Sequence, residues 1–264
     1  MSRVPEAFYV FIGILFVRGT QPALNCTGTP WDQGQDQGAS QKVELRNKLK
    51  SLSKLDRWES RLLGGFTDLG LKRFLPQQHD RLRGISSATG INKTDLLILE
   101  DKCSSRFNWF HVKGGFSADV SSGGQLLKNR PDSGIETIEW IQADGITPVL
   151  GLNSRGLACI SVFMSPVIFR PDFAPARWIL NEALSRFDSA FSAVTWCAGR
   201  PLCGNGVLAF VDSSGSRQQL NISGTDREII SCKEYLLKGS GSELTVLTSG
   251  LIYKGRDLER SYLF

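Results

Sequence analysis

Two glycines four residues apart, Gly34 and Gly38, stand at the head of a polar stretch that opens Asn25-Cys26-Thr27-Gly28-Thr29-Pro30-Trp31. A glycine on every fourth residue leaves one helix stripe without Cβ atoms, so the backbone of a second helix can lie directly against it. The stretch predicts a helix to about Lys54, with Val43, Leu45, Leu49 and Leu52 at mixed helical spacings. Polar residues fill the gaps between them, which reads as a surface helix. A second helix carries Trp58, Leu62 and Leu63. A third runs through Arg81-Leu-Arg-Gly84-Ile85 and stops at Gly90, and a fourth begins with Thr94 or Asp95 as N-cap.

From Ile146 the helical period gives way to paired strands. Ile146 to Phe163 reads as strand, an Asn153-Ser-Arg-Gly156 turn, and strand, which is a hairpin. Pro175 to Val194 predicts one helix with Leu180, Ala183, Leu184, Phe187, Phe191 and Val194 on one face. A further hairpin, Val207 to Ile222, turns on Gly215. With 264 residues, 41% hydrophobic and 22% charged, the chain can bury a core as one large α/β domain.

The remaining composition excludes several function classes. A net charge of +5 with scattered Lys and Arg argues against nucleic-acid binding. Two histidines far apart, His79 and His111, and no Cys-x-x-Cys pair offer nothing for a metal. No glycine-rich phosphate loop stands between a strand and a helix, so no cofactor is implied. Residues 1–23 combine Arg3, the apolar run Ala7 to Val17 and small or polar residues, too short to span a bilayer and right for a signal peptide. The expectation is a secreted or luminal protein with no membrane span in the mature chain. Sequons at Asn25, Asn92 and Asn221 agree with that compartment. Of six cysteines, Cys197 and Cys203 are the nearest local pair for a disulfide, and separate buried thiols are the other reading.

Gly28-Thr29-Pro30 with Gly34 and Gly38, followed by Arg83-Gly84-Ile85 to Asp95-Leu-Leu, resembles the acyl-coenzyme A:6-aminopenicillanic acid acyltransferase family. Gly151-Leu-Asn153-Ser-Arg-Gly156-Leu is similar to that family's Gly-x-Asn-x-x-Gly hairpin, and the likeness runs over about residues 24–253. The resemblance implies an α+β fold, the four-layer αββα sandwich of N-terminal-nucleophile hydrolases. It also implies a helical leader over 24–114, matching the family's propeptide or α chain, and an αββα core over 115–264, matching its β chain. The chemistry implied is attack on the C–N bond of small N-acyl amines by a cysteine exposed through self-cleavage, with its own amine as base.

Carried over residue by residue, that chemistry is incomplete. Asp132, in Arg130-Pro131-Asp132, falls at the aspartate that positions the nucleophile. The nucleophile itself falls on Gly115, within Gly114-Gly115-Phe116-Ser117. Thr248-Ser249-Gly250 replaces a Thr-Asn-His sequence, so Ser249 stands where an asparagine would hold the oxyanion. The competing nucleophile is Cys103, in Cys103-Ser104-Ser105, although no glycine precedes it. Ser117 would require cleavage after Phe116. The resemblance thus implies a degenerate acyltransferase or amidohydrolase relative that keeps a binding role for a small amide or acyl ligand; the alternative is an active enzyme using Cys103. Family members continue past the late motif, so an end at Phe264 would leave a sheet edge open to a partner chain.

Overall fold

The computed structural model describes residues 23–101, 110–111, 117–118, 124–142, 145–164, 172–231, 235–240, 243–248 and 251–254. Strand β1 (Leu24–Gly28) leads into helices α1 (Pro30–Ser51), α2 (Lys54–Phe74), α3 (Pro76–Thr89) and α4 (Lys93–Asp101). Short strands β2 (Phe110–His111) and β3 (Ser117–Ala118) pair with each other, and β4 (Gly124–Pro131), β5 (Thr137–Gln142), β6 (Pro148–Asn153) and β7 (Ala158–Met164) follow. After β8 (Ala174–Pro175) come α5 (Ile179–Arg186) and α6 (Ala190–Ala198), then β9 (Leu202–Val211), β10 (Arg217–Gly224) and β11 (Asp226–Ser231). Strands β12 (Tyr235–Ser240), β13 (Glu243–Thr248) and β14 (Leu251–Lys254) form a separate antiparallel sheet.

The large sheet has the order β1-β4-β5-β6-β7-β9-β10-β11, with β8 beside β9. β1 joins β4 in parallel, with Leu24 opposite Leu127 and Gly28 opposite Pro131. The first strand of the N-terminal segment is therefore part of the same sheet as residues 124–224. The edge strand β11 exposes Asp226, Arg227 and Glu228, a row of charges that discourages pairing with another chain.

Both faces of this sheet are buried. Cys159, Phe163, Leu208, Phe210, Leu220 and Ile222 point to the helix layer and join α5 and α6 in one core. The alternate positions Leu126, Trp140, Leu150, Leu152, Ile160, Val162, Val207 and Ala209 form the opposite face, each at most 5% exposed. Burial on two sides explains why β7 reads Ala-Cys-Ile-Ser-Val-Phe-Met with little polar alternation. This is the α+β class expected, with a helix layer packed on one face of the large sheet. No helix among the described residues is long and apolar enough to cross a membrane.

The α1–α3 crossing is built on glycine. A Cβ at Gly34 would run into the Arg81 carbonyl, one at Gly84 into the Trp31 carbonyl, and one at Gly38 would stand 2.9 Å from Ile85 Cα. The head of α1 is fixed by Thr29, whose hydroxyl accepts from the Asp32 N–H while the Asp32 carboxylate accepts from the Thr29 N–H at 2.9 Å.

α1 lies at the surface, but the face that it buries is polar. Its buried residues are Gln33, Gly34, Gln37, Gly38, Gln41 and Leu45, whereas Val43 is 67% exposed. The glutamines, spaced by four, go inward. Gln33 donates to the Gly28 carbonyl, Gln37 to the Ile146 carbonyl and Gln41 to the Gly145 carbonyl. A buried amide that meets a backbone acceptor avoids the cost of desolvation.

Trp58 lies on α2, the second helix expected, and is 60% exposed. Other expectations are corrected by the structure. Asn92, ahead of both expected residues, caps α4 by accepting from the Thr94 N–H at 3.1 Å. The single helix over 175–194 is two helices, because the Ser189 hydroxyl caps α6 by accepting from the Ser192 N–H, and Phe191 then faces solvent. Gly90 and Gly215 do turn the chain with positive φ, at +72° and +84°.

The helix layer and the sheet meet at a buried ion pair. Arg81 Nη1 lies 3.1 Å from Glu139 Oε2, with both side chains out of solvent. Arg81 Nε donates to Gln37 Oε1 at 3.0 Å, and Glu139 Oε1 accepts from Thr137 at 2.7 Å and from Asn181. Gln78 donates to Asn181 at 2.7 Å and Asn129 to Thr137 at 3.0 Å, so the chain of bonds crosses from α3 through α5 to β4 and β5.

Removing one partner of such a pair costs about 3–5 kcal/mol, whereas replacing both with apolar groups is near neutral. Arg81→Ala is therefore expected to lower the urea midpoint sharply, and Arg81→Leu with Glu139→Leu to recover much of the loss. Equal losses in the two variants would show that the pair is not what the layers depend on. Gly34→Ala should cost about 1–3 kcal/mol by overpacking the helix crossing, measured by the same titration.

Candidate functional site

Of the residues expected to carry chemistry, Cys103, Gly115 and Ser249 lie outside the described residues. Ser117 is in β3, its backbone opposite His111. Asp132 follows β4 and is exposed; its N–H donates to the Gly28 carbonyl at 3.3 Å, and its carboxylate has no hydrogen bond among the described residues. Arg130 is half exposed with Nε 3.9 Å from Glu136. The turn containing Asp132 is thus tied to the strand–helix junction that opens α1.

The thiols are in another environment. Cys26, Cys159, Cys197 and Cys203 are buried and outside any disulfide, so the expected Cys197–Cys203 bridge is not formed. Cys197 sits on the core side of the last turn of α6, and Cys203 is held in β9. Burial pushes the Cys26 thiol up to about 12, with Arg81 opposing and Asp36 and Glu139 adding. Burial also pushes Cys159 and Cys197 far above the ordinary thiol range, and the Glu182 carboxylate adds to the rise at Cys197. A thiol that stays protonated is neither nucleophile nor ligand. No group of three or more possible metal ligands occurs among the described residues.

Asn153 is the residue whose role the motif alone did not disclose. Its side-chain N–H groups donate to the Leu184 carbonyl at 2.8 Å and the Phe187 carbonyl at 2.6 Å. Its Oδ1 accepts from the Arg155 N–H at 3.1 Å and the Leu157 N–H at 2.9 Å. One buried amide therefore locks the β6–β7 turn to the end of α5. A third segment joins through Ile135 N–H to the Ser185 carbonyl at 3.0 Å and Ser154 N–H to the Glu136 carbonyl at 2.9 Å.

Between these segments lies an open groove of about 540 Å³, lined by Gln77, Ser133, Gly134, Ile135, Arg155, Ser185, Arg186 and Phe187. Two arginines, Arg155 and Arg186, line it, and no aspartate or glutamate is among its lining residues. Arg186 Nη2 is 2.7 Å from Glu182 Oε1, and its guanidinium lies 5.3 Å from the centre of the Trp196 ring. Arg200 also stacks on that ring, at 4.6 Å. Burial raises the Glu182 carboxyl above its usual range, opposed by Arg186 and Arg200.

A second polar cluster holds the end of α4. Glu100 accepts from the Ile146 N–H at 2.6 Å and from the Thr147 hydroxyl, and pairs with Arg177 Nη1 at 3.5 Å. Arg177 also donates to the Glu100 carbonyl, while its Nε and Nη2 have no hydrogen-bond partner among the described residues.

No family model matches this sequence, and no curated protein matches it. Solved structures share partial likeness. A penicillin V acylase from Agrobacterium tumefaciens is 17% identical over 38% of this chain and 33% of its own, with a TM-score of 0.33. Two variants of the conjugated bile acid hydrolase from Clostridium perfringens are also similar. One is 13% identical over 48% of this chain and 42% of its own, with a TM-score of 0.31. The other is 14% identical over 52% of this chain and 44% of its own, with a TM-score of 0.32. The chain spans less than half the length of each.

The thiol environments set a pH dependence. A thiol whose pKa is raised on folding binds its proton more tightly in the folded state, so its contribution to stability is complete below the unfolded value near 9 and is lost as pH rises above it. Unfolding titrations should show stability falling from about pH 9 upward, and Cys159→Ala with Cys197→Ala should flatten that fall. An unchanged slope in the double variant would remove these thiols as the cause. At neutral pH, a maleimide should label Cys26, Cys159, Cys197 and Cys203 only after denaturation.

Proposed function

We propose that this chain is a degenerate relative of the acyltransferases and amide hydrolases with an N-terminal nucleophile, which has lost the covalent step and acts as a binding protein. The observation that supports it most is the state of the described thiols: all four are buried, and burial holds Cys26, Cys159 and Cys197 protonated. With Gly115 at the nucleophile position and Ser249 at the oxyanion position, neither the attacking group nor the amide donor is supplied by the sequence. Asp132, exposed in its turn, then positions no nucleophile and serves the backbone link to Gly28.

The reading includes export. The apolar run within residues 1–23 acts as a signal peptide. Asn25 and Asn92 are exposed and open to glycosylation, whereas Asn221 is buried in β10 with its Oδ1 accepting from Gln219, so the third sequon has no room for a glycan.

The second reading, an active enzyme, rests on Cys103-Ser104-Ser105, whose cysteine would become a new N-terminus. Intact mass and N-terminal sequencing of the secreted, deglycosylated protein separate the two. A single chain starting near residue 24, with no release of amine from small N-acyl amines, is the expected result. A second chain beginning at Cys103, together with hydrolysis abolished by Cys103→Ala, would overturn the binding-protein reading.

A further inference from the structure

We propose that the groove between the β6–β7 turn, the end of α5 and the turn after β4 binds an organic oxyanion, a carboxylate or phosphate group borne on a small polar molecule. The proposal does not depend on the fate of the nucleophile, because none of the groups involved is one. Four residues with donor side chains line the groove: Arg155, Arg186, Ser133 and Gln77. The Arg155 side chain makes no ion pair among the described residues, and its backbone is fixed through Asn153. Arg186 is already oriented by Glu182 on one side and the Trp196 ring on the other, which leaves its remaining N–H groups to an incoming acceptor.

The geometry favours an anion for two reasons. A guanidinium presents a planar fork of donors that matches the paired oxygens of a carboxylate or phosphate. The groove's walls are also set before any ligand arrives, since Asn153 holds two of them and Ile135 and Ser154 tie the third. Little ordering remains to be done on binding, and that raises affinity for a given set of contacts. Glu182, which pairs with Arg186, is itself buried, and the Arg155 guanidinium has no such carboxylate partner among the described residues. At about 540 Å³ the groove is of the size that takes small molecules rather than single ions.

The experiment is calorimetric titration of the intact secreted protein with succinate, with inorganic phosphate and with neutral succinamide. Saturable binding of succinate or phosphate, with none of succinamide, is expected. Succinate alone would assign a carboxylate ligand, and phosphate alone a phosphoryl group. Arg155→Ala should weaken binding about 10-fold or more, the loss typical of one charge-assisted bond. Arg155→Lys should restore phosphate better than succinate, because an ammonium lacks the bidentate fork.

Arg186→Ala leaves Glu182 buried without its cation, so Arg155→Ala, whose side chain is exposed, is the decisive variant. Its melting temperature should match that of the parent. No saturable heat with either anion up to about 10 mM, an affinity near the weak limit of specific recognition, would overturn the proposal. So would binding that Arg155→Ala leaves unchanged.

Discussion

The packing of the helix layer on the sheet depends on one buried ion pair, Arg81 with Glu139. Two charges taken out of water lose more hydration than their attraction returns unless other hydrogen bonds complete them. Here Gln37, Thr137 and Asn181 do so, and of the network's buried side-chain atoms Arg81 Nη2 and Asn129 Oδ1 have no partner among the described residues. What the pair provides is register. Only one placement of α3 over β5 brings the guanidinium to the carboxylate, whereas a purely apolar contact would tolerate sliding. Because the neighbouring glycines Gly34 and Gly84 let α1 and α3 touch backbone to backbone, that placement also fixes α1.

With α1 fixed, its glutamines and the Glu100 carboxylate clamp the segment at 145–147 from two helices. The start of β6 is therefore held, and β6 carries Asn153 at its end. From there the same logic extends outward: a buried amide with four hydrogen bonds joins turn to helix and shapes the groove that Arg155 and Arg186 line. Buried polar groups thus link helices and strands at several points beside the apolar core, with partners distant in sequence, and act as positional constraints.

The site was legible in part. The Gly-x-Asn-x-x-Gly hairpin and the Gly28-Thr29-Pro30 junction are local features, and the structure forms both as read, because turn chemistry and capping act over a few residues. The roles of Asn153, Glu182 and Arg186 were not legible. Each depends on a partner from another element, and a single sequence carries no mark of which arginine meets which glutamate. The Cys197–Cys203 pairing failed for the same reason: six residues of separation suggested proximity, but α6 and β9 hold the two sulfurs in different structural settings.

By itself, the sequence determined local features: the helical period of the N-terminal part, the strand pairing from Ile146 on, and the glycines that permit the α1–α3 crossing. These follow from periodicity and from the absence of a Cβ, which act wherever the chain goes. Only the tertiary structure decided which polar residues are interior. Gln33, Gln37 and Gln41 read as solvent-facing, yet they are buried, whereas Val43 and Phe191 read as apolar contacts and face water. The physical reason is that burial of a polar group is permitted or forbidden by its partner. For these residues the partners are backbone carbonyls and charged groups that only the assembled layers bring within reach.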